Sequence, residues 1–321
     1  MQAPPDGSDD KTTLGIVLIV GSVFLMSFGD ALVKYVGAEL TLWQIFVTRS
    51  LVALPLLVVL LRAGGTLAAM RPKAVSWVSL RSLLLVAMWI LFYAALPVLD
   101  LAVAAAALYT GPLFIALFQA LLIREPVAPR RRAALLLGFA GVLIVLRPGS
   151  AAFSLTTLLP LAAAALYALA MIVTRQKCRD ERPLVLSLGL TLAFLLAGVL
   201  ASGALALWSP GSDGASIQRF LLGAWAPMGP RTWALVALMA LLIVAITAGV
   251  AKAYQSAPPA TIATFDYAYL IFAGVWGVLL FGETPAATTL IGMLVIAGAG
   301  LLVVRWPRPA CAATAARRSA G

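Results

Sequence analysis

Residues 95–125 read ALPVLDLAVAAAALYTGPLFIALFQALLIRE, and residues 253–283 read AYQSAPPATIATFDYAYLIFAGVWGVLLFGE. The second stretch lies 158 positions beyond the first, which sets Ala95 on Ala253, Ala102 on Ala260 and Ala105 on Ala263. The same register sets Tyr109 on Tyr267, Phe114 on Phe272, Leu121-Leu122 on Leu279-Leu280 and Glu125 on Glu283. Apolar, alanine-rich helices match by chance, so the small residues carry little weight. The matched Tyr, Phe and Glu carry the comparison, with a glycine-spaced apolar run after each stretch. We read the two stretches as copies of one duplicated segment.

Working outward from the repeat, the chain divides into apolar runs of spanning length, about 20 residues each. Ten runs qualify or nearly do: 14–36, 42–62, 75–96, 101–123, 131–147, 155–174, 184–207, 232–255, 260–281 and 287–305. Charge, Pro or Gly breaks them, as at Arg71-Pro72-Lys73, Arg124-Glu125-Pro126 and Gly282-Glu283-Thr284-Pro285. One break is long: 208–231 is rich in Gly, Pro and Ser and has room for a short interfacial helix. The first run follows an acidic tail rather than a basic one, so it reads as a retained helix and not a signal peptide.

Composition points the same way. Apolar residues make up 63% of the chain and charged residues 11%, against about half and a quarter in soluble domains. Lipid must be the solvent for such a surface. The net charge of +11 is then a matter of topology, not of nucleic acid. With a cytoplasmic N-terminus, the inner side collects Lys11, Arg62, Arg71, Lys73, Arg124, Arg130 to Arg132, Arg175, Lys177, Arg179, Arg182, Arg305, Arg308, Arg317 and Arg318. The outer side keeps Lys34, Arg147, Arg219 and Arg231. The bias predicts both termini inside, on a multi-pass protein of the inner (plasma) membrane.

The expected fold class is therefore an all-α polytopic membrane protein with ten transmembrane helices. Five helices are an odd number, so the second half must enter the bilayer from the opposite side. The halves run over 14–148 and 154–305, flanked by cytoplasmic tails at 1–13 and 306–321. Inverted repeats are a mark of secondary transporters. Two such halves can exchange conformations and open one central site first to one side and then to the other.

Few charges fall at membrane depth, where each costs roughly 2.5 to 3.5 kcal/mol on insertion scales. They are Asp30, Arg49, Arg81 and Asp266, with Lys252 near a helix end. At about 1.5 Å rise per residue, Asp30 and Arg49 lie roughly 10 Å below the outer surface. Arg81 and Asp266 lie at similar depth below the inner one. Two acid–base pairs, one on each side of the centre, would suit two alternating gates. The plainer reading is structural: Arg49 snorkelling, and Asp30 paired with Lys34 one turn away.

Aromatic and amide groups complete a candidate substrate cavity: Trp89, Tyr93, Tyr109, Thr110, Gln119, Tyr167, Tyr267, Tyr269 and Trp276. Aromatics with polar tips suit a planar or cationic solute, although interfacial anchoring explains any one of them alone. Glu125 and Glu283 read as caps for the next helix in the chain. Gly138, Gly141, Gly292, Gly298, Ala299 and Gly300 give the fifth and tenth helices a small-residue face. That face serves either to join the halves or to hold a second copy in a homodimer.

The chain resembles the drug/metabolite transporter superfamily, and within it the EamA-type family, over about 14–305. The resemblance rests on Lys34, on Arg49, on ALYTGPLFIALFQALLIRE and RRRAALLLGFAGVLIVLRPG, and on FDYAYLIFAGVWGVLLFGETP and LIGMLVIAGAGLLVV. It departs where relatives often carry a Trp on the first helix of each half: the first helix lacks one, and the sixth has Tyr167. Such a resemblance implies transport of a small polar or amphipathic metabolite, such as an amino acid, amine, vitamin or drug-like solute, with efflux the expected direction. The alternative it leaves is uptake or exchange of a vitamin or cofactor such as riboflavin or S-adenosylmethionine.

The rival classes fare worse. No ATP-binding P-loop is present, so a gradient or solute exchange must drive transport. There is no histidine, and Cys178 and Cys311 have no partner at ligand spacing, so no metal or cofactor is expected. An enzyme would need clustered catalytic groups, and a channel would need a charged ring or a carbonyl filter; neither pattern appears. The expected partners are a small-molecule substrate and the lipid bilayer, with no nucleic acid.

Overall fold

The computed structural model describes residues 7–63, 71–122, 129–147, 155–208, 216–256, 262 and 265–305, and among these no strand occurs. The helices are α1 (Gly7–Val36), α2 (Leu42–Ala63), α3 (Val75–Ala95), α4 (Leu101–Leu108), α5 (Gly111–Leu122) and α6 (Pro129–Leu146). They continue with α7 (Leu158–Lys177), α8 (Pro183–Trp208), α9 (Ser216–Leu222), α10 (Pro230–Ser256), α11 (Ala268–Phe281) and α12 (Ala287–Arg305). In hydrocarbon every backbone N–H and C=O must find its partner within the protein, and a helix does this within one segment. Six helices among the described residues are long and apolar enough to cross a bilayer, and four shorter apolar stretches accompany them. The protein is a multi-pass, all-α membrane protein.

Two spans differ from their expected form. The run at 101–123 is not one helix but two. Pro112 has no N–H to give the carbonyl of Leu108, and a proline steers its predecessor out of helical geometry. The chain therefore turns at Tyr109-Thr110. The Thr110 hydroxyl donates to the Ala107 carbonyl at 2.6 Å, and the Leu113 N–H donates to Thr110 O at 2.8 Å. The run at 260–281 likewise contains a break: residues 265 and 266 are helical, Tyr267 is a turn, and α11 starts at Ala268. The Gly282 backbone, in left-handed geometry at φ 66°, then ends α11.

The long break at 208–231 does hold a short helix, α9, and side chains tie it down. The Trp43 indole donates to Leu221 O at 2.6 Å. The Gln44 amide donates to Ala226 O at 2.7 Å and accepts from the Ala226 N–H at 3.0 Å. Phe220 is buried over Gly37, where an added Cβ would lie 2.8 Å from its ring.

The most extensive helix pairs are α6 with α12, α1 with α10, α3 with α7 and α2 with α8. α1 also meets α11, α5 meets α7, and α4 meets α7 and α11. α4 sits at the centre, and Ala102 and Ala104 to Ala107 are all buried there. Methyl side chains let that many neighbours approach one short helix.

The small-residue faces of α6 and α12 meet each other within the chain. A Cβ on Gly292 would stand 2.9 Å from the Gly141 carbonyl oxygen, and one on Gly141 would stand 3.0 Å from Ile296 and Val295. Overpacking such a contact costs about 1–3 kcal/mol. Gly141→Val and Gly292→Val should each lower the thermal unfolding midpoint in detergent by several degrees. Gly203→Val, at a glycine with open space around it, should leave the midpoint near wild type.

Candidate functional site

The site is built around one carboxylate. Asp30 stands in the last third of α1, six residues before its end at Val36, and is 3% exposed. The Tyr93 hydroxyl of α3 donates to Asp30 Oδ1 at 3.1 Å, and the Tyr269 hydroxyl of α11 donates to Oδ2 at 2.6 Å. Tyr269 stacks on Tyr109 with centroids 4.7 Å apart and planes at 15°. Tyr109 meets Tyr267 edge-on at 5.7 Å, and Trp89 leans on Tyr93 at 4.8 Å. Two phenols thus hold one acid where α1, α3 and α11 meet, and Tyr109 and Tyr267 extend the aromatic cluster behind them.

Tyr109 and Tyr267 occupy the two helix breaks described above. A helix end leaves backbone donors and acceptors without helical partners, and broken membrane helices are where carriers bind solutes. Two buried donors stay open, one at the second break and one farther along α11. The Tyr267 hydroxyl and the Trp276 indole N–H are buried and have no hydrogen-bond partner among the described residues. The aromatic planes offer stacking surface, and the polar tips offer orientation. This chemistry suits binding. Among the described residues there is no cluster of His, Cys, Asp and Glu fit to hold a metal.

The expected acid–base pairs do not form as drawn. Asp30 takes its bonds from tyrosines. Arg49 lies farther off, over the rings of Phe194 at 5.0 Å and Phe46 at 5.8 Å. Arg81 donates from Nε to Thr174 Oγ1 at 2.8 Å and from Nη1 to Leu186 O at 3.4 Å. These bonds tie α3 to α7 and α8, and they hold the guanidinium away from Asp266. Asp266, half-buried at the second break, has no ion-pair or hydrogen-bond partner among the described residues. Tyr167 lies within electrostatic reach of both Arg81 and Asp266, and its ring presses on Gly111, where an added Cβ would be 3.0 Å away. Trp276 packs between Phe28 and Phe24 of α1, at 4.7 and 5.3 Å. The Gln119 side chain and Glu125 lie outside the described residues.

Lys34 and Glu283 had other expected partners. Lys34 pairs not with Asp30 but with Glu283, and also donates to Leu99 O at 2.6 Å. Glu283 does not cap the helix that follows it. Its Oε2 accepts from the Leu101 N–H at 2.8 Å, at the start of α4. Two features seat it there. The turn at Gly282 brings the Glu283 N–H onto Gly277 O at 3.1 Å, and Gly277 has no side chain to block the carboxylate. Phe281 adds a ring face 5.1 Å from Lys34 Nζ. The cluster binds the Val36 end of α1, the 96–101 link and the end of α11, one turn above Asp30.

Sequence reading gathered the tyrosines and Asp30 but missed this rim cluster, and it missed Phe46 and Phe194 around Arg49. One signal was available. Lys34 and Glu283 end two helices on the same predicted side, where few other charges fall. The break in the fourth span was also signalled, by Gly111-Pro112.

Comparison with known proteins places these features in context. Residues 13–147 match the EamA-like transporter family. The riboflavin transporter of Rhizobium johnstonii is 30% identical over 243 residues, covering 74% of this chain and 73% of that protein. The riboflavin transporter of Vibrio cholerae is 26% identical over 89% of this chain and 93% of that protein. The pseudopaline exporter of Pseudomonas aeruginosa is 26% identical over 92% of this chain and 98% of that protein. A solved crystal structure shares the fold at TM-score 0.57 and 20% identity, covering 98% of this chain and 99% of the other.

A buried carboxyl that loses one hydrogen-bond partner costs about 1–3 kcal/mol. Tyr269→Phe should therefore destabilise the protein in thermal unfolding, and by more than Tyr93→Phe, because its bond is shorter and its ring is also stacked. Equal, wild-type midpoints for both variants would show that the phenols do not hold Asp30.

Proposed function

The chain belongs to the EamA-like transporter family, and from that premise we propose that it is a secondary carrier working by alternating access, with Asp30 and its tyrosines as the central site. The protein is a transporter of a small metabolite. The finer reading is efflux across the inner membrane, with both termini cytoplasmic as the Lys and Arg distribution indicates.

One observation carries this reading: the two helix breaks fall on the matched tyrosines, Tyr109 and Tyr267, whose rings meet, and Tyr109 stacks on the Tyr269 that bonds Asp30. The helix pairings support a ten-helix inverted repeat over 14–148 and 154–305. Number the ten spans in order, so that α4 and α5 form the fourth, and let each span of one half exchange with its counterpart in the other. The α1–α10 pair then becomes the α3–α7 pair, and α2–α10 becomes α3–α8. The pairs α2–α8 and α6–α12 return to themselves. Such an axis in the membrane plane lets two similar halves trade conformations.

The Lys34–Glu283 cluster would be the latch of the outer gate. It ties together the outer ends of α4 and α11, the two half-helices that end at the breaks. Opening the site outward requires those ends to part. The outer rim is closed in this structure, with α9 clasped by Trp43 and Gln44.

A second reading, riboflavin uptake, has a specific observation in its favour. Two of the relatives described above are named as riboflavin transporters, and the stacked Tyr109–Tyr269 pair is a surface for a flat ring system. In either direction, a carrier shows counterflow. Proteoliposomes preloaded with unlabelled solute should take up the labelled form faster than empty ones, with riboflavin and the amino acids as the first solutes to try. Flux indifferent to the internal solute would contradict a carrier. A bias of about 1.4 kcal/mol shifts a two-state equilibrium tenfold. Lys34→Gln and Glu283→Gln should therefore each slow exchange by about tenfold, and the double exchange Lys34→Glu with Glu283→Lys should restore part of the rate. Wild-type rates in both single variants would remove the latch.

A further inference from the structure

Arg49 borders the arrangement described so far, reaching it through Tyr93. It is 6% exposed, yet among the described residues no carboxylate lies within ion-pair distance of it. The nearest acid, Asp30, acts on it only at range, and both Asp30 oxygens already accept from Tyr93 and Tyr269. Phe46 and Phe194 cover the guanidinium with ring faces. Rings stabilise the charge but do not satisfy five N–H donors. The Tyr93 phenol shares a side-chain hydrogen bond with Arg49, but it brings no counter-charge, and a buried cation without an ion-pair partner is costly to maintain.

A small cavity of about 40 Å³ adjoins it, between α2, α8 and α10, lined in part by Arg49, Ser50, Ser187, Thr191, Phe194 and Thr247. The hydroxyls of that lining divide into two kinds. Thr191 donates to Ser187 O at 2.9 Å, Thr247 to Ile243 O at 2.7 Å and Ser187 to Pro183 O at 3.0 Å. Their protons are committed to their own helices. The Ser50 hydroxyl is not: it is 1% exposed and has no partner. The cavity therefore offers a planar guanidinium and one free O–H on adjacent residues, both of them donors. The lining carries no acidic side chain, so nothing in it repels an anion. A guanidinium fork also matches a carboxylate in shape.

We propose that Arg49 and Ser50 form an anion subsite that receives the carboxylate of the transported solute. The proposal rests on the carrier reading above and adds a substrate class to it: a solute with a carboxylate, held near the tyrosine cluster because Arg49 shares a side-chain hydrogen bond with Tyr93. It favours the efflux reading over a neutral flavin.

The test is an equilibrium binding measurement that needs no turnover, so its failure is separate from a failure of counterflow. Acetate and its neutral isostere acetamide are titrated against the protein in nanodiscs, with saturation-transfer NMR as the readout. Acetate should bind saturably and at least tenfold tighter than acetamide. Arg49→Gln should abolish that preference, Arg49→Lys should weaken it by removing the fork, and Ser50→Ala should lower acetate affinity several-fold. Ser50→Ala alters only a hydroxyl, so it reports even if the Arg49 variants fold poorly. Equal binding of the two probes, binding of neither, or a preference unchanged in Arg49→Gln and Ser50→Ala would overturn the proposal and leave a cavity filled by water.

Discussion

A carboxyl group at membrane depth costs up to roughly 2.5 to 3.5 kcal/mol on insertion scales, and Asp30 meets that cost with two phenols from distant helices. Tyr93 comes from α3 and Tyr269 from α11. Satisfying one buried acid therefore fixes the relation of three helices that are far apart in sequence. Other features follow from that node. Tyr269 is held against Asp30, so the Tyr109 ring that stacks on it is held too, and with it the break between α4 and α5. The alanines of α4 let the break sit at the centre, and the glycine contacts of α6 and α12 close the far side.

Much of this was legible in the sequence. Hydropathy located the apolar helices, which among the described residues are six of spanning length and four shorter stretches, because lipid leaves no other use for such segments. The repeat register aligned Tyr109 with Tyr267, and both became turn positions. What could not be read was partnership. Depth arguments put Asp30 beside Arg49 and Arg81 level with Asp266, since a rise per residue gives height. Height says nothing of rotation about the helix axis. The tyrosines face Asp30, whereas Arg81 faces Thr174 and Leu186. The same gap hid the role of Glu283, whose target, the Leu101 N–H, lies 182 residues earlier in the chain.

The two polar clusters of the α1 face divide the labour in a physically sensible way. Lys34 and Glu283 lie near the rim, 13% and 11% exposed at their side chains, where water can rehydrate both charges when they separate. Asp30 lies one turn deeper and stays bonded to neutral phenols, which can turn toward a solute without stranding an unpaired charge. A latch belongs where charges can be rehydrated, and a binding site belongs where bonds can be exchanged. Arg49, flanked by rings and an open cavity, completes the set with the opposite sign.

The central claim is that the outer rim opens and closes while the Asp30 site persists. Pulsed electron–electron distance measurement tests it most directly, with spin labels at Val98 and Ala286 in a background lacking Cys178 and Cys311. These positions flank the Lys34–Glu283 cluster on two sides. The account predicts two distance populations in wild-type protein, with the longer one enriched by Glu283→Gln. A single distance that does not respond to Glu283→Gln would contradict it.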